Sequence, residues 1–151
     1  MIDEMDRKLL RVLQAEGRIT NQELASRCAI SPSACLDRMR RLKERGYISG
    51  YAALLDPEKL DQSFLVFVEV VLDRTTGDVF RRFSAAVAER PEILECHMVA
   101  GGFDYLLKLR LKDMAAYRKF LVDVLAEIPG VRETRTYAVM DEVKSTTALP
   151  I

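Results

Sequence analysis

The chain has 151 residues, enough for one large domain or two small ones, and its 49% hydrophobic and 30% charged residues exclude a disordered polypeptide. The longest apolar run, Phe64–Leu72, is broken by Glu69 and falls far short of the roughly 18 residues a membrane span needs. The charged opening MIDEMDRKLL has no signal-peptide core, so a cytoplasmic protein with no membrane partner is expected.

Net charge is zero, but residues 1–50 carry ten Lys/Arg against seven Asp/Glu, and the remainder thirteen against sixteen. Five of those ten basic residues fall between Arg38 and Arg45. A local basic patch on a neutral chain suits contact with a polyanion.

Asp3 to Gly17 sets Met5, Leu9, Val12 and Leu13 at helical spacing, with Asp3 as N-cap and Gly17 as the stop. Thr20 and Glu23 form a T-x-x-E capping box that opens a short second helix, ending near Arg27. After a tight Ala29-Ile30-Ser31 connection, Pro32 stands at the first position of a third helix that runs to Arg45 and stops at Gly46. Two short helices behind a longer one are the helix-turn-helix arrangement.

On the third helix, Cys35, Met39 and Leu42 form an inward stripe, and Ala34, Arg38, Arg41 and Arg45 a second one. Ser31, Ser33 and Asp37 border that second stripe near the helix N-terminus. Free N–H groups and serines can meet phosphate or base edges, and Arg38 can fork onto guanine. Asp37 can accept from a cytosine amine or pair with a neighbouring arginine. The plain alternative is an amphipathic helix with a solvated basic face.

Residues 51–62 are expected as a linker strand. Beyond them Phe64–Leu72 is a strand, Asp78–Arg90 a helix with Val79, Phe83, Ala86 and Val87 inward, and Ile93–Ala100 a second strand. Gly101-Gly102 turns into a third strand, Tyr105–Lys112. Met114–Ile128 is a helix broken by Pro129-Gly130, and Arg132–Val143 a fourth strand. The order strand–helix–strand, hairpin, strand–helix–strand is a ferredoxin-like βαββαβ sandwich. The fold class is thus α+β, with a helix-turn-helix domain over 1–50 and a ferredoxin-like domain over 63–151. The helices cover one sheet face only, and an uncovered apolar face predicts dimerisation.

Three cysteines without a CxxC pair give no disulfide framework or zinc site, and a single histidine removes most metal and acid–base constellations. Cys96 and His97 are adjacent on a strand, where neighbouring side chains point to opposite faces, so they do not pair as a thiol catalyst. No Ser/His/Asp set or phosphate loop is present, so no enzyme, metal or cofactor is expected.

The stretches SPSACLDRMRRLKERGYISGY, ECHMVAGGFDYLLK and TRTYAVMDEVK resemble the Lrp/AsnC (feast/famine) regulators, in order and along essentially the whole chain. The resemblance implies a winged-type DNA domain binding double-stranded DNA and a domain sensing a small amino acid. It also implies dimers that assemble further, often into octamers, with the amino acid between dimers. Carried over by position, it implies an effector site of Gly101, Gly102, Asp104 and Tyr105, with Met98, Met114, Tyr137, Ala138 and Val139 affecting the response. Gly102 and Ala138 depart from the acidic residue and valine of close relatives, leaving leucine, another branched-chain residue and proline open as effectors. Paired glycines let backbone amides approach a carboxylate, and Asp104 could take an α-ammonium; a plain hairpin turn is the alternative. The rival function is an amino-acid-binding module acting on a partner protein, which the steep salt dependence of DNA binding would distinguish.

Overall fold

In the computed structural model, which describes residues 1–75 and 77–151, α1 (Glu4–Ala15) starts at a reciprocal cap. The Asp3 carboxylate accepts the Asp6 N–H at 2.8 Å, and the Asp6 carboxylate accepts the Asp3 N–H at 3.2 Å. The Thr20–Glu23 box opens α2 (Asn21–Cys28) as expected, and Ala29 closes it in the left-handed region at φ 58°. Pro32 begins α3 (Pro32–Glu44), capped by the Ser31 hydroxyl accepting the Ala34 N–H at 3.2 Å. Gly46, at φ 74°, supplies the left-handed stop.

Leu9, Leu24, Ala25, Cys28 and Cys35 are the core of these helices, with Met5, Val12 and Met39 packed around them. Burial pushes the Cys35 thiol up, which marks it as packing and not as a reactive group.

The chain divides into two units, Met1–Leu54 with Lys144–Ile151, and Leu55–Val143. Residues Lys144–Ile151 thus pack with the first unit. The Gln14 side-chain amide donates to the Leu149 carbonyl at 3.1 Å and accepts its N–H, and Arg11 Nε donates to the Ile151 carbonyl. These bonds fix the final residues on α1. Residues 51–56 form no ladder and 57–61 are turns, so the linker strand does not form within one chain. A strand requires a neighbour to satisfy its N–H and C=O groups.

The second unit follows the expected order: β1 (Phe64–Leu72), α4 (Val79–Ala88), β2 (Ile93–Met98), β3 (Tyr105–Leu111), α5 (Met114–Phe120) and β4 (Val131–Ala138). All pairings are antiparallel and the sheet order is β2-β3-β1-β4, the ferredoxin-like arrangement. Val66, Val68, Val70 and Leu72 alternate inward on β1, opposite Leu107 and Leu109 of β3. Phe83 from α4, and Tyr117 and Phe120 from α5, close the core over them. α5 does not continue unbroken to Ile128: a π-turn spans Leu121–Leu125, with the Ala126 N–H reaching the Leu121 carbonyl.

β4 stops at Ala138 and not Val143. Its partner β1 begins at Phe64, and the last ladder-like bond is from the Val139 N–H to the Leu65 carbonyl.

The sheet face away from α4 and α5 is less apolar than expected. Leu65, Phe67 and Leu106 share it with Glu69, Lys108 and Arg110. Lys108 and His97 both meet Glu95, and Arg110 meets Glu142 at 2.9 Å.

Candidate functional site

The outward surface of α3 is set by which residues its core consumes. Cys35 and Leu42 are buried and Met39 is half-buried, as the inward stripe requires. Arg38 lies beside that stripe. Its guanidinium pairs with Asp3 at 2.6 Å and Asp6 at 2.7 Å, and its side chain is 25% exposed. These two carboxylates hold it, and the Asp3 carboxyl is lowered by the Asp6 N–H first and Arg38 second. In this structure Arg38 ties α3 to the N-terminus of α1.

Arg41 and Arg45 are exposed and border the same small cleft as Asp3 and Asp6, with the Arg45 guanidinium 5.4 Å from the Tyr47 ring centre. Ser31, Ser33, Ala34 and Asp37 are all exposed around the helix N-terminus. Ser33, Leu36, Asp37, Arg40 and Glu44 are also exposed, with Arg40 67% exposed and reaching Asp37 at 3.4 Å. Sequence reasoning passed over Leu36 and placed Arg40 off the reading stripe. The helical period, counted from Cys35 and Leu42, marks Arg40 as outward and sets Leu36 on the flank.

In the second unit, Gly101, Gly102 and Asp104 lie on the β2–β3 turn, with Val71, Arg74, Thr75, Phe103 and Arg132, around an open cleft of about 450 Å³. Two arginines, two glycines and the carboxylates of Asp73 and Asp104 line it, with Arg74 paired to Asp104, so Arg132 is the cation there without that partner. Arg74 and Arg132 were missed, although the antiparallel β1–β4 pairing, Leu72 opposite Val131, already puts Arg132 at this end.

Asp104 is only 4% exposed. Its carboxylate accepts the Leu72 N–H at 2.8 Å and pairs with Arg74, while its own N–H bonds the Val70 carbonyl at 2.9 Å. Burial pushes the carboxyl up, but the Leu72 N–H and the Arg74 guanidinium outweigh it, and the group sits below its ordinary value. In this structure the Asp104 oxygens secure the turn to the end of β1. Tyr105 is buried too, its ring 4.6 Å from that of Phe83 and its hydroxyl 3.3 Å from Ser84 Oγ.

The remaining effector residues divide by position. Met98, exposed at the end of β2, pairs with Tyr105 and stands near the turn. Tyr137 and Ala138 pair with Phe67 and Val66, Val139 bonds Leu65, and Met114 follows β3 at the same end of the sheet. The Tyr137 hydroxyl donates to Glu69, which lifts the phenol above its ordinary value. Leu65 and Val70 are five residues apart along β1, so Met114, Ala138 and Val139 stand about 14–17 Å from the turn, whereas the Tyr137 side chain reaches back to Glu69, which lines a pocket with Gly102 and Phe103. A single chain does not bring Met114, Ala138 and Val139 to the turn.

A capped three-helix unit with a basic outward helix, carried with a sensing-type α+β unit, defines a DNA-binding regulator with a ligand domain. Family comparison agrees: residues 2–49 match the winged helix-turn-helix DNA-binding model, and 65–149 the Lrp/AsnC ligand binding domain. The chain is 55% identical over 150 residues to the leucine-responsive regulatory protein of Salmonella typhimurium, covering 99% of this chain and 92% of that protein.

Among solved structures it resembles a transcriptional regulator of Neisseria meningitidis in complex with L-methionine, at TM-score 0.96 and 41% identity, covering 99% of this chain and 97% of that one. An AsnC family regulator of Agrobacterium tumefaciens matches at TM-score 0.94 and 35% identity, with the same coverage. The chain belongs to the Lrp/AsnC family. It is a DNA-binding transcription regulator with an Lrp/AsnC ligand-binding domain, and not an enzyme. Among the described residues no helix is long and apolar enough to cross a membrane.

Proposed function

We propose that this regulator binds duplex DNA through α3 and that a small aliphatic amino acid, bound in the second unit, alters its assembly and hence its hold on DNA. The observation that carries the reading is the cleft at the β2–β3 turn, where Arg74 and Arg132 face Gly101 and Gly102. That set suits an α-carboxylate, with the exposed Met98 nearby as an apolar neighbour for a side chain. The likeness to leucine-responsive proteins favours leucine, and the likeness to a methionine-bound regulator adds methionine to the branched-chain residues and proline.

The separation of Met114, Ala138 and Val139 from the cleft supports a site completed by a second copy of the chain. Dimers would form over the sheet face bearing Leu65 and Phe67 and assemble further, up to an octamer. On DNA, Ser31, Ser33 and Ala34 would approach the groove at the helix N-terminus. Arg40, aimed by Asp37, would read a base edge, and Arg41 and Arg45 would anchor phosphates. Effector-driven assembly then changes how many α3 helices engage at once, and so the avidity.

A thermal-shift screen of the full chain against the twenty amino acids tests the sensing half, because a ligand of the folded state raises the melting temperature by mass action. A selective rise that Arg132→Ala abolishes is expected. No rise with any amino acid would remove amino-acid sensing and leave DNA binding standing.

A further inference from the structure

We propose that Leu36 is a specificity residue that reads the C5 methyl group of a thymine in the major groove; this rests on α3 being the DNA-reading helix.

α3 contains four apolar residues besides its N-terminal proline and Ala34: Cys35, Leu36, Met39 and Leu42. Cys35, Met39 and Leu42 are taken up by the core or its edge, whereas Leu36 is 60% exposed. A lone exposed leucine is unremarkable on a protein surface, but the company of this one is specific. One turn before it stands Ser33, one residue after it Asp37, and one turn later Arg40, held by Asp37 at 3.4 Å and by Glu44 at 4.0 Å. Leu36 also lines an apolar cleft of about 420 Å³ with Met39 and Tyr51, rimmed by Arg40 and Lys43.

The helix thus presents, in order, a hydroxyl, an isobutyl group, a carboxylate and a guanidinium. Ser33 and Arg40 are seven residues apart, about 10 Å at the helical rise, which spans about three base-pair steps of 3.4 Å. In the major groove the one apolar feature of a base edge is the thymine methyl. An apolar side chain flanked by the polar readers Ser33, Asp37 and Arg40 matches that feature, with Lys43 left for a phosphate beside it. A protein partner seated on the same cleft would meet Lys43 without a phosphate to neutralise it.

The test starts from duplexes selected by the full chain out of a random library. Each thymine of the selected site is then replaced in turn by deoxyuridine, which keeps every hydrogen-bonding group and deletes only the methyl. Affinity is measured by fluorescence anisotropy at one fixed salt concentration. The wild type is expected to lose about fourfold at one thymine per half-site, the worth of one buried methyl-sized group. Leu36→Ala is expected to bind that site with no thymine–uracil difference, while keeping the wild-type melting temperature because the side chain is outside the core. If the wild type is indifferent to uracil at every position, or if Leu36→Ala keeps the same uracil penalty, the assignment is overturned. Selection of no duplex at all would overturn the DNA-binding role of α3 itself, a different result from either.

Discussion

Replacing Asp104 separates a structural carboxylate from a ligand contact. Its carboxylate is the acceptor of the Leu72 N–H at 2.8 Å, in a position only 4% exposed. Asp104→Ala leaves that buried donor unsatisfied, at about 1–3 kcal/mol. The ion pair with Arg74 adds little, up to about 1 kcal/mol, because the arginine side chain is 70% exposed and screened by solvent. A loss of about 2–3 kcal/mol is expected for Ala, and about 1 kcal/mol for Asn, which keeps an acceptor for the Leu72 N–H but not the charge.

Urea denaturation of the full chain at neutral pH, followed by circular dichroism and tyrosine fluorescence, measures both. The order wild type, Asn, Ala should hold without any amino acid present.

The folded-state carboxyl lies below its ordinary value of 3.8, so its contribution is complete above that value and is lost as pH falls through the lowered one. The stability gap between wild type and Asp104→Asn should therefore close as pH drops below 3.8. An Ala variant within about 0.5 kcal/mol of wild type would refute the structural role and return Asp104 to the list of ligand contacts.

Phe83→Ala removes a fully buried ring packed on Tyr105 and should cost about 3–5 kcal/mol in the same denaturation experiment. Gly130 sits at φ 87°, and a Cβ there would collide with Val79. Gly130→Ala should cost at least about 1–2 kcal/mol from the backbone alone, read as a lower urea midpoint. Arg38→Ala should lower the melting temperature of the N-terminal unit by freeing Asp3 and Asp6. Arg40→Ala should leave that temperature unchanged and weaken DNA binding about tenfold or more, as expected for a base-reading arginine.

Much of the fold was legible because its devices are local. The T-x-x-E box at Thr20, Pro32 at the start of α3 and the alternation of Val66, Val68 and Val70 each specify structure within a few residues. What was not legible depends on neighbours distant in sequence. The helical period identified the face holding Cys35 and Leu42, but not that α1 would bring Asp3 and Asp6 against Arg38. The turn glycines were visible, whereas the burial of Asp104 follows from the end of β1 delivering the Leu72 N–H to it. The tail residues fixed by Gln14 and Arg11 carry no pattern of their own, because their partners are two side chains on another element. The linker strand over 51–62 failed for a related reason: extended sequence becomes a strand only beside another backbone.

The central claim couples α3 on DNA to an amino acid in the second unit, and one titration tests both. The affinity of the full chain for a selected duplex is measured at constant salt, without and with each of the twenty amino acids. The account predicts that one aliphatic amino acid, or a small related group, shifts the binding curve severalfold, and that Arg132→Ala binds the duplex normally but loses the shift. Tight, sequence-selective binding that no amino acid alters would contradict the coupling. Binding that is neither sequence-selective nor salt-dependent would contradict the assignment of α3 as the DNA reader.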